Sequence, residues 1–216
     1  MLPLAYTYIA FISLSFGAGL TIYFQHGTPV YLRVFPIFLF LTLCVESYSL
    51  YINLQGRHNV AFYNFYNMVE TGFYLYVLRE IIANATVKKA IIWAFIAYAS
   101  FGFWNALSWQ KMSHFNNVTF ALGALIIVAF SIFYFMEVFQ KKEASNLLFE
   151  PSFWICSGLI FFNTGALPFF GLIHMIERLP ELMISRIMIA ELILNIFLYS
   201  TFALSFLCRL RIRKYT

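Results

Sequence analysis

Ala61 to Leu78 reads AFYNFYNMVETGFYLYVL, an aromatic run long enough to cross a bilayer that carries Asn64, Asn67 and Glu70 in its middle. At 100° per residue Tyr63, Asn67, Glu70 and Tyr74 fall within a stripe roughly 60° wide, so one narrow face is polar and the rest is apolar. A carboxyl at mid-membrane depth costs about 2.5 to 3.5 kcal/mol on insertion scales. The polar face therefore has to look inward, onto other helices that supply partners. The stretch predicts a bundle rather than a lone anchor.

The rest of the chain agrees with that reading. Of its 216 residues 62% are hydrophobic, 21% aromatic and only 11% charged, and there is no aspartate. This composition lies outside the range of soluble globular domains and predicts a polytopic membrane protein. Apolar runs near 3–23, 34–53, 61–78, 90–109, 116–138, 151–173 and 183–207 predict an all-α bundle of seven transmembrane helices, forming one domain over 1–216. The first run lacks a basic leader and is read as a retained helix rather than a signal peptide.

The net charge of +5 is no nucleic-acid signature, because most basic residues lie at helix ends. Alternating the joints puts ten Lys and Arg residues on one side and four on the other. That bias predicts a cytoplasmic C-terminus, an external N-terminus and a place in a cell membrane of the bacterial inner-membrane type. No joint exceeds about a dozen residues, which leaves no room for a soluble kinase or nucleotide-binding domain. Near the cytoplasmic surface Glu137 is expected to pair with Lys141 one turn on. Cys44, Cys156 and Cys208 are expected to be buried thiols outside any disulfide framework.

Four runs carry polar groups at one depth. Glu46 lies in the second run, Asn163 in the sixth beside Gly158, Gly165 and Pro168, and Glu191, Asn195 and Tyr199 share one face of the seventh. At 1.5 Å per residue Glu70 and Asn163 are near the bilayer centre, with Glu46, Asn67, Asn195 and Glu191 within roughly 6 Å of it, mostly towards the outside. The expected ligand-binding set is thus Glu46, Tyr63, Asn67, Glu70, Tyr74, Asn163, Glu191 and Asn195. All fourteen Lys and Arg residues sit at or near helix ends, so these carboxyls have no built-in counter-ion. Protonated, they serve as interhelical glue or a proton relay; ionised, they accept a metal cation or an amine. The glycines and proline of the sixth run leave two readings open, a bend exposing carbonyls to a cavity and a kink for packing.

Chemistry of other kinds finds little support. No nucleophile elbow, phosphate loop, Cys-x-x-Cys pair or His-Glu-x-x-His helix occurs, so an enzyme is not expected and no cofactor is implied. The seventh run has no lysine for a retinal Schiff base. His58, His114, His174 and Glu177 lie on the outer side and are chemically sufficient for zinc, but they are spread over three joints in no known motif.

The layout with YNFYNMVE in the third run and FWICSGLIFFNTG in the sixth resembles small bacterial seven-helix proteins similar to the membrane input regions of sensor kinases. That resemblance implies ligand sensing and a signalling partner on the cytoplasmic side. The three-plus-one-plus-three arrangement also resembles small sugar transporters, with MVETGFYLY and IAELILNIFLY as the repeated element. The proline-glutamine signature of that family is absent. An outer cavity closed on the cytoplasmic side would favour sensing, and a match between helices one to three and five to seven would favour transport.

Overall fold

The computed structural model describes residues 2–57, 59–108, 115–140, 147–171 and 180–212. These form seven α-helices: α1 (Leu2–Leu20), α2 (Val30–Leu54), α3 (Val60–Ile81), α4 (Ala85–Ser108), α5 (Asn117–Phe139), α6 (Pro151–Gly171) and α7 (Glu181–Ile212). Short 3₁₀ turns follow α1 and precede α6.

Among the described residues six stretches are long and apolar enough to cross a membrane: Tyr6–Phe24, Val30–Leu54, Ala85–Leu107, Asn117–Phe139, Pro151–Phe169 and Met183–Cys208. This is the pattern of a multi-pass membrane protein. The exception is α3, whose hydropathy is lowered by its amides, Glu70 and tyrosines. Its neighbours explain how so polar a helix is housed. It packs against α2, α4 and α5, burying Asn64, Tyr66, Thr71 and Tyr74 and leaving Phe62, Phe65 and Val69 outside.

The helices close into a ring. α1 lies between α2 and α7, α6 between α5 and α7, and α3 joins α2 to α5, while α4 stands outside against α3 and α5. The outer surface is far more apolar than that of a soluble protein, and polar groups are buried among the helices. Thr42, Ser49, Asn64, Thr71, Asn105 and Ser205 are buried, whereas Leu14, Phe65, Trp93, Phe103, Phe139 and Ile193 are exposed. Cys44 belongs to this outer surface, contrary to the expectation of three buried thiols; Cys156 is buried and Cys208 half-buried.

The glycines of α6 serve packing, because Pro168 sits within a continuous helix. A Cβ at Gly165 would lie 2.6 Å from Leu194 Cδ2, and one at Gly158 would collide with Thr201 Oγ1. Their hydrogen-only side chains let α6 and α7 approach closely, as membrane helices do through small residues. The packing reading of these glycines is the one these contacts support.

Glu137 has a tertiary role that its neighbours along the chain do not show. Its carboxylate accepts the backbone N–H groups of Ala83 and Asn84, both at 2.9 Å, at the entry to α4. Asn84 Oδ1 then accepts from Thr86 at 2.9 Å, so donors unsatisfied at the helix start find acceptors. Lys141 lies outside the described residues. Glu137→Ala is expected to cost about 1 kcal/mol and to lower Tm by about 2 to 4 °C, measured by thermal unfolding in detergent, with Glu137→Gln intermediate.

Candidate functional site: an acidic cavity in the ring

The turn between α2 and α3 sets the site. Gly56 takes φ +71°, its N–H donates to Asn53 O at 3.0 Å, and the Arg57 N–H donates to Ile52 O at 3.2 Å. This closure ends α2 cleanly and returns the chain antiparallel. Asn59 Nδ2 donates to Ser49 Oγ at 2.9 Å and ties the start of α3 to the end of α2. Glu46 is thereby placed opposite Tyr63, whose hydroxyl donates to Glu46 Oε2 at 2.7 Å.

Within the ring lies a cavity of about 830 Å³. It begins at the end of the bundle carrying the start of α1, the α2–α3 turn and the starts of α5 and α7, called here the N-terminal face. On α3 its wall runs from Val60 to Glu70, roughly 15 Å at helical rise. Glu46, Tyr63, Asn67, Glu70, Glu191 and Asn195 all line it. Six groups expected to meet from sequence are thus in one chamber, contributed by α2, α3 and α7.

The other two are placed differently. Tyr74 is 2% exposed beneath the cavity, and its hydroxyl donates to Glu70 Oε1 at 2.8 Å, so it holds a wall residue from behind. Asn163 is buried, but its amide donates to Leu159 O of its own helix at 2.8 Å; Phe162 is the α6 residue on the cavity wall. Asn195 lines the cavity while its Nδ2 donates to the Glu191 backbone carbonyl at 3.0 Å. The carboxyl of Glu191 accepts no hydrogen bond from a described residue. His58, His114, His174 and Glu177 lie outside the described residues.

Tyr8 and Tyr66 are wall residues that sequence reasoning overlooked. Tyr8 of α1 lines the chamber beside Glu46, and its ring meets that of Tyr199 at 5.8 Å, joining the first helix to the last. The Tyr66 hydroxyl lies 2.7 Å from Thr42 Oγ1 on α2. Asn64 faces away from the cavity and accepts the Asn116 N–H at 2.9 Å, fixing the entry to α5. Asn117 and Thr119, part of a glycosylation-type sequence, are buried there, and Asn105 Nδ2 donates to Thr119 Oγ1 at 2.9 Å.

Beyond Glu70 the bundle is filled with rings. Phe38 stacks on Phe73 at 3.9 Å, Phe35 meets Phe73 at 5.0 Å and Phe202 at 4.8 Å, and Phe38 meets Tyr74 edge-on at 5.6 Å. Ile155 and Leu159 of α6 and Ile127 and Tyr134 of α5 continue the same core. The chamber thus lies towards the N-terminal face and has an aromatic floor. No protein-family model, curated protein or solved structure matches this chain.

Proposed function

We propose that this protein is a seven-span sensor or receptor-like module of a cell membrane, taking a small ligand into the ring from outside and acting on a cytoplasmic partner. The observation that carries the reading is the chamber's asymmetry: a polar wall towards the N-terminal face and a floor of packed rings beyond Glu70. Its volume is that of sites which enclose small molecules. Counting α3 as the seventh span is supported by its 22 residues and its inward polar face. The basic bias of the joints supports an external N-terminus. The N-terminal face is then the outer one.

A second reading is a proton- or cation-coupled transporter, favoured by the three wall carboxyls and by α4, which stands outside the ring as a linker helix would. One experiment separates the two. The purified full-length protein is screened for thermal stabilisation by a broad small-molecule library, beside Leu192→Trp, which places an indole in the chamber. Ligands of the chamber are expected to stabilise the wild type by several degrees and to lose their effect in Leu192→Trp. Sensing requires that proteoliposomes holding the protein accumulate none of the bound ligand. Accumulation moves the assignment to transport, and a library without a chamber ligand removes both readings.

A further inference from the structure

The chamber has two unlike walls. Glu46, Glu70 and Glu191 come from α2, α3 and α7, on one arc of the ring. Phe115 and Phe120 at the start of α5 and Phe162 of α6 present ring surface from the opposite arc. Among the described lining residues there is no Lys, Arg or His. A carboxylate removed from bulk water needs a counter-charge or a full set of donors. Here the donors are tyrosines, which orient Glu46 and Glu70 through one oxygen each, and Glu191 receives none from a described side chain.

A bare metal ion answers only half of this arrangement. It would sit against the acidic arc and leave most of about 830 Å³, together with the phenylalanine wall, without an occupant. A phosphate- or carboxylate-bearing ligand would meet three like charges. A neutral apolar ligand would leave the carboxyls unanswered. An ammonium group on an apolar body satisfies both arcs, because the same cation is also attracted to tyrosine faces within about 6 Å.

We propose that the chamber binds an amphipathic organic cation, its ammonium among Glu46, Glu70 and Glu191 and its aryl or branched alkyl body against Phe115, Phe120 and Phe162. Glu191, whose carboxyl accepts from no described side chain, is the principal anchor. This inference rests on the chamber being a ligand site, and the test separates failure of the one from failure of the other.

The full-length protein in detergent at pH 7 is titrated with a single scaffold in four forms: 3-phenylpropylamine, its trimethylammonium derivative, 3-phenylpropanol and 3-phenylpropanoate. Sodium, potassium and magnesium chlorides are run alone. Binding is read by calorimetry and by thermal shift. Both cationic forms are expected to bind at least tenfold tighter than the alcohol, with no binding of the carboxylate and no stabilisation by inorganic cations. Glu191→Gln is expected to weaken the cationic forms about tenfold and to leave the alcohol unchanged, while Phe120→Ala weakens cations and alcohol alike. An alcohol or carboxylate that binds as tightly as the amine overturns the proposal and leaves the ligand site standing, as does a library hit that carries no positive charge. Stabilisation wholly reproduced by an inorganic cation also overturns it. Silence from this series and from the broad library together removes the ligand site itself. Because the charge series is read on the wild type, the test stands even if Glu191→Gln does not fold.

Discussion

Gly158→Leu is expected to abolish recovery of folded, monodisperse protein, while Gly17→Leu gives protein that elutes and melts like the wild type. A Cβ at Gly158 collides with Thr201 Oγ1 and lies 3.2 Å from Thr201 Cβ and 3.4 Å from Leu198 Cδ1. Thr201 has nowhere to turn. Its hydroxyl already donates to Leu198 O at 2.7 Å, and the residue is buried. The α6–α7 pair has to separate, which also withdraws Leu194 from Gly165. Overpacking by a methylene or two costs about 1 to 3 kcal/mol; a whole isobutyl group at a helix crossing exceeds that and approaches the 5 to 15 kcal/mol that holds a typical fold together. A Cβ at Gly17 has nothing within 4 Å, so the same substitution there adds only outward-facing apolar surface. Size-exclusion chromatography and thermal unfolding of both variants decide the matter. A Gly158→Leu protein that behaves like the wild type would refute the α6–α7 contact.

The helices were legible in the sequence because bilayer thickness sets a minimum apolar length and joints are short. The run at 61–78 is α3, Val60–Ile81, and the run at 183–207 is α7, Glu181–Ile212. The stripe of Tyr63, Asn67 and Glu70 was legible because helical periodicity puts them on one face, and a costly face must turn inward. What sequence could not fix was azimuth in helices with a single polar group. Asn163 was expected among the ligand-binding groups, yet its helix turns Phe162 to the chamber and leaves the amide to its own backbone. Tyr8 was overlooked for a related reason: its partners Glu46 and Tyr199 lie on other helices, and nothing in α1 marks the contact. A second role of Glu137 was hidden by locality. An i, i+4 lysine was visible along the chain, but the backbone N–H groups of Ala83 and Asn84 arrive only when α3 and α5 pack.

Phe35→Ala is expected to cost about 3 kcal/mol, the lower part of the range for deleting a buried phenyl ring, and to lower Tm by about 6 to 12 °C. Its ring is fully buried and meets Phe38, Phe73, Phe202 and Phe206 at 4.8 to 6.3 Å, so its removal takes one partner from each of four rings on three helices. Phe40→Ala is the control. Phe40 is 53% exposed and pairs only with Phe16 among the described rings, at 5.6 Å, so its loss is expected to lower Tm by less than about 2 °C. The floor also bears on function, because Phe38 packs edge-on against Tyr74, whose hydroxyl holds Glu70. A ligand that moves Glu70 therefore pulls on the stacked Phe38–Phe73 pair directly below. Under the sensing reading, Phe38→Ala retains ligand binding at the outer wall but loses the ligand-dependent protection of α2 and α3 amides in the floor half, measured by hydrogen exchange. Protection unchanged by Phe38→Ala would mean that the chamber and the floor are independent, and that a signal leaves the ring by another helix.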